Sequence, residues 1–138
     1  MPREHVVLRN YAAEDAPETV GGHVPYFCVL EAATRVWNRM LLDAFDENFT
    51  LTDIAVVNVN SDFARELFTG AAEVDVEVVK IGRTSVALRA GVEQGGVRAV
   101  DLTVTLVQLG ADRSTAQPWS PDQIARLGTL RSSVVLPE

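Results

Sequence analysis

The sequence has little of what disulfide-bonded, metal-binding or membrane-spanning proteins depend on. Its single cysteine, Cys28, allows neither an intramolecular disulfide nor a cysteine-based zinc cluster. Its apolar runs are far shorter than the roughly 20 residues that span a bilayer, and MPREHVVLRN lacks the apolar stretch of a secretory signal. His5, His23 and the scattered acids show no metal-ligand spacing. We therefore expect a cytoplasmic protein with no metal, no cofactor and no membrane partner.

Positive charge is also scarce. The chain has 12 lysines and arginines against 19 aspartates and glutamates, a net charge of −7 and a pI of about 4.8. Because no Lys/Arg cluster is present, we expect no nucleic-acid partner. With 47% hydrophobic and 22% charged residues, the 138-residue chain has the composition of one globular domain. We expect that domain to span residues 1–138, with its core at about 5–128 and a tail at 129–138.

The first half of the chain predicts one long helix after one short strand. HVVLRN (5–10) reads as the strand, and residues 11–23 read as a loop. The helix is expected from about Pro25 to Phe45, because apolar residues recur there at helical spacing. Glu31 falls on the margin of the apolar face.

The second half predicts antiparallel strands. Apolar and acidic residues alternate strictly in AAEVDVEVVKIG, and glycines at 82 and 95–96 mark hairpin turns between strand-like segments. PWSPDQIARLGTL predicts a short last helix that is capped by Ser120 and Gln123. One antiparallel sheet of about five strands buries so long a helix only by curving around it, which predicts an α+β fold. A long strand edge also favours pairing with a second copy.

Four stretches in this order resemble one known family. They are GGHV at 21–24, YFCVLEAAT at 26–34, VNSDFARELFTG at 59–70 and VEVVKIGRTSVALRAGV at 76–92. Together they resemble the hot-dog fold thioesterases, specifically the 4-hydroxybenzoyl-CoA thioesterase-like group. The resemblance covers about residues 5–128. It implies a long central helix wrapped by a curved sheet, and hydrolysis of acyl thioesters of CoA or acyl carrier protein. It also implies a homodimer or homotetramer with its active site near the subunit interface.

The sequence departs from the family pattern at the catalytic acid. Many members carry an Asp three residues before the Gly of G-H-V, and that place is Thr19 here. Glu18 is adjacent, and Asp15 lies earlier in the loop. Other hot-dog thioesterases carry the carboxylate on the central helix, where Glu31 stands in this chain. We predict Glu31 as the working carboxylate, since partial burial beside the apolar face suits a base. Glu18 and Asp15 are the alternative acids, and Thr19 is a catalytic-site candidate only as a hydrogen-bond partner of substrate or water, because its hydroxyl does not ionise near neutral pH.

The helix start predicts an oxyanion site. A helix N-terminus presents unpaired N–H groups and a partial positive charge, and a glycine such as Gly22 lets a ligand approach the backbone closely. The resemblance implies that the N–H groups around Tyr26 and Phe27 stabilise the oxyanion. His23 is a candidate to orient the carbonyl or the attacking water.

Two more pairs are candidate ligand contacts. Asn58 and Asn60 share one face of a predicted strand and are candidates for substrate binding. Arg83 and Ser85 match the family's Gly-Arg-Ser stretch and are candidates for CoA binding, although a hairpin turn also explains them.

Two other functions stay open on the sequence. One is a hot-dog module that binds acyl ligands or assembles without hydrolysis, which loss of the expected Asp favours. The other is a hot-dog dehydratase.

Overall fold

The structure is a computed structural model that describes residues 3–9 and 22–131. Its strands and helices are, in chain order, β1 (Arg3–Leu8), α1 (Tyr26–Ala44), β2 (Ile54–Phe63), β3 (Gly70–Ile81), β4 (Ser85–Gln94), β5 (Val97–Gln108) and α2 (Pro121–Gly128), with one 3₁₀ turn at Leu51–Asp53. Every predicted strand and helix is therefore present. Within the described ranges, no helix is long and apolar enough to cross a membrane.

The five strands form one antiparallel sheet in the order β1-β3-β4-β5-β2. β3, β4 and β5 form two consecutive hairpins, as the glycine positions predict. Gly95 and Gly96 have φ of 61° and 78°, which a two-residue hairpin turn requires and which glycine adopts without strain. β1 and β2 are the two edges of the sheet. β2 carries a bulge between Val56 and Asn58.

The core lies between α1 and one face of the sheet. The valines of the alternating stretch of β3 are buried, whereas the acidic residues between them are half-exposed on the opposite face. The buried face of α1 comprises Cys28, Val29, Ala33, Val36, Trp37, Met40 and Leu41. The helix makes its main contacts with β1, β3 and β4. This is the predicted α+β arrangement, with the helix lying on an antiparallel sheet.

Trp119 and α2 close the core at the C-terminal end of α1. The buried Trp119 ring stacks on Phe45, with centroids 5.9 Å apart, and its Nε1–H donates to the Ser85 carbonyl at 2.9 Å. α2 begins with the predicted capping box, in which Ser120 and Gln123 each accept a hydrogen bond from the other's backbone N–H. This end of the molecule is thus held by specific packing and hydrogen bonds.

Candidate functional site

A cavity of about 410 Å³ lies at the N-terminal end of α1. One wall is the helix start with the residues before it, and the other wall is the end of β2 with the loop that follows. The residues that line it are His23, Val24, Pro25, Tyr26, Val29, Phe63, Ala64, Arg65, Glu66 and Leu67. Mostly apolar walls with a few polar groups at the rim are typical of small-molecule sites.

Backbone hydrogen bonds hold the two walls together. The Val24 N–H donates to the Leu67 carbonyl at 2.8 Å, and the Thr69 N–H donates to the Gly22 carbonyl at 2.9 Å. His23 therefore pairs with Phe68 in an isolated antiparallel bridge. The loop before the helix and the loop after β2 are far apart in sequence, but this bridge fixes their spacing.

Two further residues shape this bridge. Gly22 has a φ of 78°, a conformation that side chains disfavour. The turn therefore requires a glycine at position 22, whether or not a ligand approaches there. The Gln94 amide accepts from the Phe68 N–H and donates to the Phe68 carbonyl, both at 2.8 Å. Gln94 thus holds the β2–β3 loop with the same pair of hydrogen bonds that a neighbouring strand would make, an interaction called the Gln94 clamp below. No sequence motif predicts this contact.

The start of α1 supplies a hydrogen-bond donor beside the cavity. Pro25 is the N-cap rather than the first helical residue, and no side chain caps the helix. The N–H groups of Cys28 and Val29 turn back to the Pro25 carbonyl. The Tyr26 N–H makes no hydrogen bond to any residue in 3–9 or 22–131. This donor, at the positive end of the helix dipole, fits the oxyanion role that the resemblance implies.

His23 faces an acid that no sequence pattern singled out. Its Nε2 lies 3.9 Å from Oε1 of Glu66, and its ring meets Phe68 edge-on with centroids 6.4 Å apart. The His23 side chain is 37% exposed and that of Glu66 is 73% exposed. Both line the cavity. Glu66 is the one acid among the described residues of its lining.

Glu31 lies elsewhere. Its side chain is 50% exposed, and its carboxylate pairs with Arg35 one turn along α1 at 2.7 Å. It lines a separate groove of about 520 Å³ between β1 and α1, and the cavity at the helix start excludes it. An exposed (i, i+4) pair of this kind stabilises a helix by about 0.3–0.5 kcal/mol. This structural role accounts for Glu31 without catalysis, and its catalytic role stays a prediction.

Asn58 and Asn60 point together, as the strand alternation predicts, but away from the cavity. They pair with Thr105 and Thr103 of β5. The alternate residues of β5, Leu102, Val104 and Leu106, are buried on the face that α1 covers, so the two threonines lie on the other face. Paired residues on antiparallel strands share a face. Both asparagines are therefore exposed on the face of the sheet opposite α1. Their role in binding stays a prediction.

Arg83 and Ser85 lie at the other end of α1. Their backbone carbonyls accept hydrogen bonds from Trp119, which stacks on Phe45 just after the helix. At about 1.5 Å per residue, the 19-residue helix separates that end from the cavity by about 28 Å. A CoA contact from these residues stays a prediction. For these residues to contact CoA whose acyl group lies in the cavity, the CoA must extend along the whole helix, or the two residues must come from a second copy of the chain.

The three loop candidates, Thr19, Glu18 and Asp15, lie outside the described residues. Their roles stay predictions.

Comparison with known proteins identifies the family. Residues 18–107, about two thirds of the chain, match the family model described as the acyl-CoA thioesterase N-terminal domain. The chain belongs to the acyl-CoA thioesterase family. This thioesterase matched no curated protein.

Solved structures share the fold of this thioesterase. A Thermus thermophilus thioesterase complexed with coenzyme A and Zn is 20% identical, with a TM-score of 0.78 and 96% of each chain covered. A predicted thioesterase from Bacillus stearothermophilus is 16% identical, with a TM-score of 0.76, covering 97% of this chain and 100% of its own. A 1,4-dihydroxy-2-naphthoyl-CoA thioesterase from Synechocystis is 13% identical, with a TM-score of 0.71, covering 94% and 98%. The predicted hot-dog fold is confirmed, and the family membership makes the chain an acyl-CoA thioesterase.

Proposed function

We propose that this thioesterase hydrolyses acyl-CoA in the cavity at the start of α1. The observation that supports the proposal most is the meeting, in one mostly apolar cavity, of an uncapped helix N-terminus with a histidine. The acyl chain lies along Val24, Val29 and Leu67. His23 at the rim lies within reach of the water that attacks the carbonyl carbon.

In this proposal the helix start stabilises the transition state. Attack of water turns the thioester carbonyl into an oxyanion, to which the Tyr26 N–H donates a hydrogen bond. A single preorganised donor of this kind lowers a barrier by roughly 3 kcal/mol. Collapse of the tetrahedral intermediate breaks the C–S bond and releases a carboxylic acid and the CoA thiol. Phe27, the next residue along the helix, stays a predicted second donor.

The carrier and the setting are part of the proposal. Two structural neighbours are complexes with coenzyme A, and this supports CoA as the carrier. The use of acyl carrier protein as an alternative carrier stays a prediction from the sequence. Comparing the hydrolysis rates of CoA and carrier-protein thioesters with the same acyl group tests it. A cytoplasmic location also stays a prediction.

We also propose that the working unit is a homodimer joined through β2. This edge strand exposes Val56, Val57, Val59 and Phe63, and at its end Phe63 meets the exposed Tyr26 ring with centroids 6.4 Å apart. Unpaired strand edges with apolar side chains favour association with another chain. A dimer formed here places a second copy beside the cavity mouth.

Blocking the cavity tests the site. Ala64 lines the cavity and is exposed, so Ala64→Trp fills the space without disturbing the core. We expect kcat/KM for the best of a short, long and aromatic acyl-CoA series to fall at least about tenfold, which is about 1.4 kcal/mol. Ala125→Trp, on the exposed side of α2, is the matched control.

Two results would contradict the proposal. Equal turnover by Ala64→Trp and Ala125→Trp would place the acyl group elsewhere. A wild-type protein that binds acyl-CoA but hydrolyses no thioester would favour the non-hydrolytic module.

A further inference from the structure

We propose that Glu66 is a positioning residue that forms a working pair with His23 and so activates the hydrolytic water. This inference rests on the proposed function, because it assigns a base to the same cavity. Glu66 was not among the candidate acids of the sequence, and only its position in the fold brings it to the histidine.

The geometry brings these two side chains to the same rim. His23 is fixed by its backbone bridge to Phe68, and Glu66 stands two residues before Phe68 on the opposite wall. Their 3.9 Å separation is about 1 Å longer than a charge-assisted hydrogen bond. Glu66 is mostly exposed, so a rotamer change suffices to close that gap when substrate excludes water from the rim.

The pair is not committed to other contacts. In the described part of the chain, neither carboxylate oxygen of Glu66 forms another ion pair or hydrogen bond, and neither does the His23 ring beyond its edge contact with Phe68. Two other acids beside α1 are already paired: Glu31 with Arg35, and Glu4 with Arg39. Among described residues, Glu66 is thus the acid that both faces the cavity and remains available to the histidine.

A carboxylate paired with an imidazole is a recurrent base assembly. Here the imidazole nitrogen away from Glu66 takes a proton from water as the water oxygen bonds to the thioester carbon. The carbonyl electron pair moves to the oxygen, which the Tyr26 N–H holds. When the C–S bond breaks, the imidazolium returns its proton to the leaving sulfur. Glu66 orients the ring throughout and offsets the positive charge that forms on it.

The test compares Glu66→Gln with Glu47→Gln. Glu47 is exposed beyond the C-terminal end of α1, far from the cavity, so its variant should keep wild-type turnover. We expect Glu66→Gln to lose about 100-fold in kcat with KM little changed, because general-base assistance contributes about 10²–10⁴-fold. Glu66→Asp should keep part of the rate. Added formate should raise the kcat of Glu66→Ala but not of wild type, and a merely structural role would not respond to formate.

Four results would overturn the inference. If Glu66→Gln is as active as Glu47→Gln while His23→Asn is inactive, Glu66 has no part in the reaction. The proposed function then still stands. A Glu66→Gln loss without formate rescue of Glu66→Ala assigns a structural role. If Glu31→Gln loses turnover and Glu66→Gln keeps it, the working carboxylate is Glu31 on α1. A wild type that hydrolyses no acyl-CoA overturns the proposed function as well.

Discussion

Val59→Lys should convert the protein from a dimer to a monomer and remove most of its thioesterase activity. Val59 stands at the middle of β2, pairs with the buried Val104 of β5 and is 45% exposed in the single chain. In the proposed dimer it becomes buried against the second copy. A lysine there carries a charge that must be desolvated, and lysines on edge strands oppose pairing.

The symmetry of the dimer doubles this effect. Both copies carry the substitution in the same interface, so we expect association to weaken at least about 100-fold, or about 2.8 kcal/mol. Turnover should fall with the dimer fraction, because the second copy lies beside the cavity mouth. Sedimentation velocity and kcat/KM across a dilution series measure both quantities.

The matched control is Val79→Lys. Val79 is also an exposed valine, 40% accessible, but it lies on β3, which β4 and β5 separate from the β2 edge. That variant should sediment and turn over like the wild type. A wild-type protein that is monomeric at micromolar concentration would contradict the dimer proposal, as would a dimeric Val59→Lys variant.

Trp119→Ala should cost about 3–5 kcal/mol of unfolding free energy, as expected for a buried tryptophan. Trp119 is 5% exposed, stacks on Phe45 and hydrogen-bonds the carbonyls of Arg83 and Ser85. Because small domains are stable by only about 5–15 kcal/mol, the loss should shift the urea midpoint strongly. Urea unfolding followed by circular dichroism measures it.

Trp119→Phe separates packing from hydrogen bonding. It keeps an aromatic ring against Phe45 but removes the Nε1–H donor to Ser85, and should cost less, about 1–3 kcal/mol. An unchanged urea midpoint in Trp119→Ala would refute the stabilising role of the Trp119 ring against Phe45.

Most of the fold was predictable because its signals are local. The helical spacing of apolar residues fixes α1, and strict alternation fixes β3 and its buried face. The glycines at 95 and 96 fix a hairpin. The strand order was not predicted, since it depends on which distant edges meet. It places β2 beside β5 and makes it an outer strand.

The cavity was predictable only in part. GGHV and the helix start point to His23 and Tyr26, both of which line it. Glu66 reaches His23 only because the bridge to Phe68 and the Gln94 clamp bring a loop more than 40 residues away against the helix start. No periodicity or motif signals such a contact.

The other candidates show what patterns leave undetermined. Alternation predicts that Asn58 and Asn60 share a face but does not say which face, and they lie opposite α1. Helical spacing places Glu31 near the apolar stripe, but its exposure depends on neighbouring strands and on Arg35. A motif match marks Arg83 and Ser85 without giving their distance from the helix start.

A crystal structure with a non-hydrolysable acyl-CoA analogue tests the proposed site most directly. We predict the analogue's carbonyl oxygen at about 3 Å from the Tyr26 backbone nitrogen. We also predict the acyl chain between Val29 and Leu67, with Glu66 hydrogen-bonded to His23. An analogue whose carbonyl lies in the groove beside Glu31, with the cavity at the start of α1 left empty, would contradict the proposed site.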